Sequence, residues 1–237
     1  ILEANPRASR TMPFVAKVTG NQIIKAGTLL MLGYSIDEVR NKTKYLSSSS
    51  NKVAIKKAIF PWSRFPAEDT MLGPEMKATG EVLGVGKEFG TALNKAYAAA
   101  GVEINNKEKG IFVTLSDSEK PNFIKTVNKY LELGFTLYST EGTGKFLKTN
   151  GIDSVTVGKA DDLGQTSLTI IEDKLVSLVI NTPTYANELS DGWKIRRLSH
   201  ETGVAVVSSV READAFIEAF LNQNLVLDDL EVIQDVS

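Results

Sequence analysis

Glu3 and Asn5 stand two residues apart in a stretch that reads as a strand, so both side chains project from one face. Two hard oxygen ligands on one face suit Mg2+ or Mn2+ bridging nucleotide phosphates. Arg7 and Arg10 follow directly, and guanidinium forks match phosphate oxygens. The pattern reads as one edge of an ATP site; the bland alternative is a strand edge with ordinary polar residues. Phosphoryl transfer also needs a base platform, a loop over the phosphates and further metal ligands, and the remaining sequence offers no candidate for them. There is no initiator Met, and no strand-helix scaffold precedes Glu3. The expectation is the C-terminal piece of a larger ATP-using enzyme, inactive on its own.

A second constellation is spread along the later half of the chain. Strand-like runs at Ile111–Leu115, Phe135–Ser139, Ser154–Val157 and Leu175–Ile180 alternate with helical patterns. In an open parallel sheet, ligands sit beyond the C-terminal ends of the strands. Those ends carry Thr114 with Lys120 beyond it, then Thr140 and Thr143 opening a helix, then Lys159, then Asn181 and Thr182. Hydroxyls, an amide and helix-start N–H groups donate to phosphate oxygens, and the two lysines supply charge. The set therefore reads as a phosphate-monoester pocket. The alternative is that Thr140 and Thr143 only cap a helix and the lysines are solvated. Recurrence at successive strand ends favours the pocket.

Acid–base machinery is sparse around it. The single histidine, His200, falls in a helical run and reads as exposed or supporting rather than as a general base. Asp161 and Asp162 read as a polar loop, Arg196 and Arg197 as surface or interface pairs, and Asp228–Glu231 as a solvated acidic end. This half looks like a binding module rather than a reactor.

The elements behind these residues fall into three zones, 1–33, 34–100 and 101–237. The first holds the Glu3–Asn5 strand, a loop and a helix from about Ile23 to Leu32. The second is polar from Tyr34 to Leu46, has a serine-rich loop, a strand from Val53 to Phe60, loops punctuated by Pro and Gly, and a helix from Glu88 to Ala100. The third alternates strand and helix, which argues for a parallel sheet with helices on both faces. Leu175–Ile180 is apolar enough for a central strand buried on both sides. With 42% hydrophobic and 24% charged residues in 237, the composition is that of an ordinary globular chain. A net charge of −2 gives no bulk attraction for nucleic acid or an anionic membrane. No run of 18 apolar residues offers a membrane span. The absence of cysteine excludes disulfides and thiolate chemistry and fits a cytoplasmic protein.

Glu3 to Val15 resembles the end of the second ATP-grasp unit of the carbamoyl phosphate synthetase large subunit. Leu72 to Gly84 is similar to that family's linker into its last domain. Thr140–Thr143, Val179–Thr182 and Lys194–Arg197 resemble its methylglyoxal-synthase-like regulatory domain. The fold implied is an α/β one, a partial ATP-grasp remnant (1–33), a linker and helix (34–100) and a Rossmann-like parallel-sheet domain (101–237). The resemblance implies an ATP-dependent carbon–nitrogen ligase that makes carbamoyl phosphate from glutamine, bicarbonate and two ATP, with a small glutaminase subunit, for pyrimidine and arginine synthesis. It makes Glu3 and Asn5 metal ligands and Arg7 and Arg10 phosphate neighbours where carbamate is phosphorylated. It places Lys120, Thr140, Thr143, Lys159, Asn181 and Thr182 around a nucleotide effector such as UMP or IMP, with self-association through the same domain. Lys57 and Val207 stand where ornithine-responsive members have acidic residues, which argues against ornithine, and Pro183 replaces a hydroxyl residue of some relatives. The alternative is an effector-binding, oligomerising module without catalysis. Methylglyoxal synthase itself fits poorly, because its Gly-Gly-Asp turn is replaced by Gly158-Lys159-Ala160-Asp161.

Overall fold

The computed structural model describes residues 4, 6, 7, 9, 11–43, 52–62, 65, 70, 80–102, 104, 110–182 and 190–222. Three helices come first, α1 (Thr11–Thr19), α2 (Ile23–Met31) and α3 (Ile36–Lys42). An antiparallel pair follows, β1 (Val53–Ile59) and β2 (Gly80–Gly86), registered from Val53 against Gly86 to Ile59 against Gly80. After α4 (Phe89–Ala99) the chain alternates: β3 (Gly110–Thr114), α5 (Lys120–Glu132), β4 (Thr136–Thr140), α6 (Glu141–Thr149), β5 (Val155–Val157), α7 (Thr169–Glu172), β6 (Val176–Asn181), α8 (Asp191–Thr202), β7 (Ala205–Val207) and α9 (Val210–Leu221).

The last five strands form one parallel sheet in the order β5-β4-β3-β6-β7. The expected α/β architecture is therefore the one observed. From β3 the chain winds outward to β4 and β5, then returns to β6 on the other side. That reversal opens a crevice at the carboxyl ends of β3 and β6, where α/β sheets bind ligands.

Alternation along the strands sends successive side chains to opposite faces. Ile111, Val113, Leu178 and Ile180 join Leu93 and Tyr97 of α4, Phe123 and Tyr130 of α5, and Phe216 and Phe220 of α9. Phe112 and Val179 pack the other way, on Ile170 and Ile171 of α7 and Ile195 of α8, and Val176 joins them because the β3–β6 register slips by one residue between the Gly110–Val176 and Ile111–Leu178 pairs. β6 is buried along its whole length, as its apolar run predicts.

Three elements differ from the sequence reading. The loop assigned after Asn5 contains α1, whose first N–H donates to Ser9 Oγ at 3.1 Å, with Pro13 in the first turn where a missing N–H is harmless. The polar stretch after Tyr34 contains α3, closed by a capping box: Ser35 Oγ accepts from the Glu38 N–H, and Glu38 Oε2 accepts from the Ser35 N–H at 2.8 Å. The linker-like residues 80–86 form β2. Its glycines let α4 lie against bare backbone, because a Cβ at Gly84 would stand 2.1 Å from the Ala92 carbonyl oxygen. Gly90 does the same where α4 crosses α9, since a Cβ there would stand 2.2 Å from the Glu218 carbonyl oxygen. Asn94 Nδ2 then donates to the Ala219 carbonyl at 2.7 Å. The β1–β2 hairpin is thus fastened to the parallel sheet through α4. Among the described residues no helix is long and apolar enough to cross a membrane.

Candidate functional site

Parallel pairing brings the ends of β3, β4 and β6 to one edge, and their polar residues meet there. Thr140 Oγ1 lies 3.5 Å from Thr114 Oγ1 and 3.3 Å from Thr143 Oγ1. Thr143 is buried and its hydroxyl accepts the Leu115 N–H at 3.1 Å. The Thr182 N–H donates to the Thr114 carbonyl at 3.1 Å, and Thr182 Oγ1 accepts the Ser116 N–H at 2.7 Å. Ser116 Oγ lies 3.2 Å from Ser118 Oγ and 3.4 Å from Thr182 Oγ1. Six hydroxyls at three strand ends therefore form two groups of three, Thr114–Thr140–Thr143 and Ser116–Ser118–Thr182, joined into one patch by the backbone bond from Thr182 to Thr114. Thr140 occupies the N-cap position of α6, yet its side chain makes no capping bond. Helix capping does not account for its hydroxyl.

Asn181 sits beside this patch on the α8 side. It is 4% exposed, and its Oδ1 accepts from an Arg196 terminal nitrogen at 2.6 Å. Lys120 opens α5 with Nζ 2.5 Å from Asp117 Oδ1, and that hydrogen bond and charge hold the Asp117 carboxyl below its usual range. Lys159 is exposed just past β5, with its backbone N–H donating to Asp162 Oδ2 at 2.7 Å. The Glu141 carboxyl, at the start of α6, is held low first by its hydrogen bond to Lys145, and the Lys159 charge adds to this. Lys159 therefore stands on the rim of the same edge. Asp161 pairs with Lys194 of α8 at 2.6 Å, which ties the loop after β5 across the opening.

All seven residues assigned to the strand ends, Thr114, Lys120, Thr140, Thr143, Lys159, Asn181 and Thr182, thus lie at or around one edge. Ser116, Ser118 and Arg196 belong with them and were not anticipated. The Ser-Asp-Ser run after β3 was the available signal for the serines. Arg7 is exposed on a bend. Glu3, Asn5 and Arg10, the rest of the metal and ATP assignment, lie outside the described residues, as does Pro183.

Two expectations are narrowed. Of the surface and interface readings of Arg196 and Arg197, the surface one fails, since they are 4% and 8% exposed, and the interface one agrees with the contacts of Arg197. Arg197 donates to Glu201 Oε1 and to the Phe65 carbonyl, each at 2.7 Å, so α8 is bonded to the segment leaving β1. His200 is not exposed either, which leaves the supporting role of its two readings. Its ring packs 5.6 Å from Trp62, and burial with the charges of Lys57, Arg197 and Arg196 lowers its pKa to about 4. Lys57 lies with Nζ 4.1 Å from the Tyr97 ring centre, its pKa pushed down by burial and partly restored by Glu212. Val207 is buried in the apolar core.

Residues 122–208 match the model of the MGS-like domain, so the parallel sheet with its hydroxyl-lined edge is a domain of that class. At the level of the whole sequence, the chain belongs to the carbamoyl phosphate synthase large-chain family and aligns with its C-terminal section. It is 37% identical over 233 residues to the carbamoyl phosphate synthase large chain, C-terminal section, of Aquifex aeolicus, covering 92% of this chain and 43% of that relative. The corresponding section of Methanocaldococcus jannaschii is 37% identical over 227 residues, covering 92% of this chain and 37% of the relative. The large chain of Brucella suis is 38% identical over 227 residues, covering 92% and 19%. The chain therefore spans less than half the length of these relatives.

Proposed function

We propose that this chain is the C-terminal part of the large subunit of a glutamine-hydrolysing carbamoyl phosphate synthetase, an ATP-dependent carbon–nitrogen ligase of the cytoplasm. In that reading residues 1–33 close an ATP-grasp unit, 34–100 link it onward, and 101–237 form a regulatory domain. Glu3 and Asn5 would hold Mg2+ or Mn2+, and Arg7 and Arg10 would face ATP phosphates during carbamate phosphorylation. A small glutaminase subunit would supply ammonia to the whole large subunit. The strand-end edge would bind a nucleotide effector, UMP first and IMP second, with self-association through the same domain.

The observation that carries the effector assignment is the joined hydroxyl patch at the ends of β3, β4 and β6, flanked by Lys120 and Lys159. Hydroxyl and backbone donors orient a phosphate, and the lysines supply charge from the rim. An effector regulates only if it binds the active and inactive states with different affinity. The segment from Pro61 to Gly86 would carry that difference, a reading supported by the bond from Arg197 to the Phe65 carbonyl. Replacing Lys57 and that segment in the full enzyme without altering the effector response would refute this route.

Calorimetric titration of this chain with UMP, IMP and ornithine tests the assignment, with Lys159→Ala alongside. UMP binding that falls about tenfold or more in the variant supports it. Ornithine binding, or no binding of either nucleotide, overturns it.

A further inference from the structure

Arg196 has no place in the sequence-based site, yet it is nearly fully buried and bonded to the end of β6. A guanidinium carries only donors. Whatever faces it at hydrogen-bond distance must be an acceptor, so the 2.6 Å contact fixes which end of the Asn181 amide is the oxygen. The NH2 end is thereby committed to the other side. Asn181 is 4% exposed, and no described residue accepts from its Nδ2. The residue is buried, yet Nδ2 is not one of the fully enclosed polar atoms left without a partner, so an acceptor oxygen can still reach it at the ligand-binding edge of the sheet.

The neighbourhood is shaped to keep the pair in place. Gly192, in the first turn of α8, leaves room that any side chain would fill: a Cβ there would stand 3.1 Å from the Arg196 nitrogen and 3.5 Å from Asn181 Nδ2. α8 is anchored over the sheet by Ser190, whose hydroxyl caps the Trp193 N–H at 3.3 Å, and by the Lys194–Asp161 bridge.

We propose that Arg196 is a positioning and specificity residue: by holding Asn181 Oδ1, it obliges the pocket to present Nδ2, so the ligand must offer an acceptor oxygen there. Without that constraint the amide can turn and offer its oxygen instead, and the pocket loses its preference. The inference rests on the nucleotide-effector reading and adds to it the chemical sense of one contact. It applies equally to a phosphate, ribose or base-carbonyl oxygen.

The test uses this chain and UMP as the probe. Arg196→Lys keeps a donor-only group, Arg196→Met removes it, and both are followed by calorimetry and thermal melting. UMP affinity is expected to fall about tenfold in Arg196→Met, the range of one lost buried hydrogen bond to an anionic ligand, and by less than about threefold in Arg196→Lys. In 15N-labelled chain, UMP should shift the Asn181 side-chain amide pair in the wild type and in Arg196→Lys but not in Arg196→Met. Should Arg196→Met fail to fold, the wild-type and Arg196→Lys amide shifts still decide. Equal UMP affinity in all three proteins, or an Asn181 amide that ignores UMP while UMP binds, overturns the inference and leaves the effector reading standing. A wild type that binds neither UMP nor IMP removes both.

Discussion

The strand-end edge and the seam under the β1–β2 hairpin are both rich in cations, and they treat them in opposite ways. At the edge, Lys194 is bridged to a carboxylate, Lys120 likewise, and Lys159 stays in solvent. The buried groups there are hydroxyls bonded to one another and to backbone, together with the Asn181 amide that accepts from the buried cation of the edge, Arg196. In the seam, Lys57 and His200 are pressed against Tyr97 and Trp62; burial lowers the proton affinity of both, the Glu212 carboxylate only partly restores that of Lys57, and the charges of Lys57, Arg197 and Arg196 lower that of His200 further. Burial penalises charge unless partners restore it. The edge is thus built to receive an anion with little rearrangement, whereas the seam stores an unfavourable arrangement held in place by packing elsewhere.

That contrast can be broken most forcefully at α4. Gly84→Val should cost about 3 kcal/mol or more in chemical denaturation, because the new side chain meets the Ala92 carbonyl rather than a movable group. If the seam were held by its own contacts, the cost would be small. Next is acid. The His200 pKa is lowered from 6.5 to about 4, so the unfolded chain takes up a proton before the folded one does. Stability is full above pH 6.5 and should fall by about 3 kcal/mol as pH drops from 6.5 to 4. The groups facing the ring are Lys57, Arg196, Arg197 and Trp62. As the single histidine, its NMR signal should titrate near 4; titration near 6.5 would contradict the burial.

Smaller effects sharpen the comparison. Thr143→Val keeps the shape but strands the buried Leu115 N–H, and should cost about 2 kcal/mol while weakening UMP binding. A neutral result would mean the hydroxyl patch is not structurally joined. Lys57→Met removes a half-buried cation and its contact with Tyr97 together, so stability should change by less than about 1 kcal/mol. The His200 signal should then move upward, and an unmoved signal would separate the two groups.

Much of the later half was legible in the sequence because its period matches its burial. The apolar run of β6 is a strand enclosed on both faces, and the parallel order then carries Thr114, Thr140 and Thr182 to one edge. β2 was hidden because Gly80, Gly84 and Gly86 interrupt its pattern. Two of those glycines answer to the close approach of α4, which no local pattern reveals. α3 buries only Val39, too little for an apolar stripe, although the Ser35–Glu38 spacing announced its cap. Arg196 was missed because charge predicts exposure, and only the fold supplies the Asn181 oxygen that makes burial tolerable. The methylglyoxal-synthase-like fold was readable from motifs, and the relatives bear out the family.

Arg196 and Arg197 are consecutive on α8, so their side chains leave the axis about 100° apart. One grips the last residue of β6, the other the chain just past β1. A helix is stiff over twelve residues, so α8 acts as a crank with two arms on one shaft. A small turn about its axis cannot shift the first arm without swinging the second.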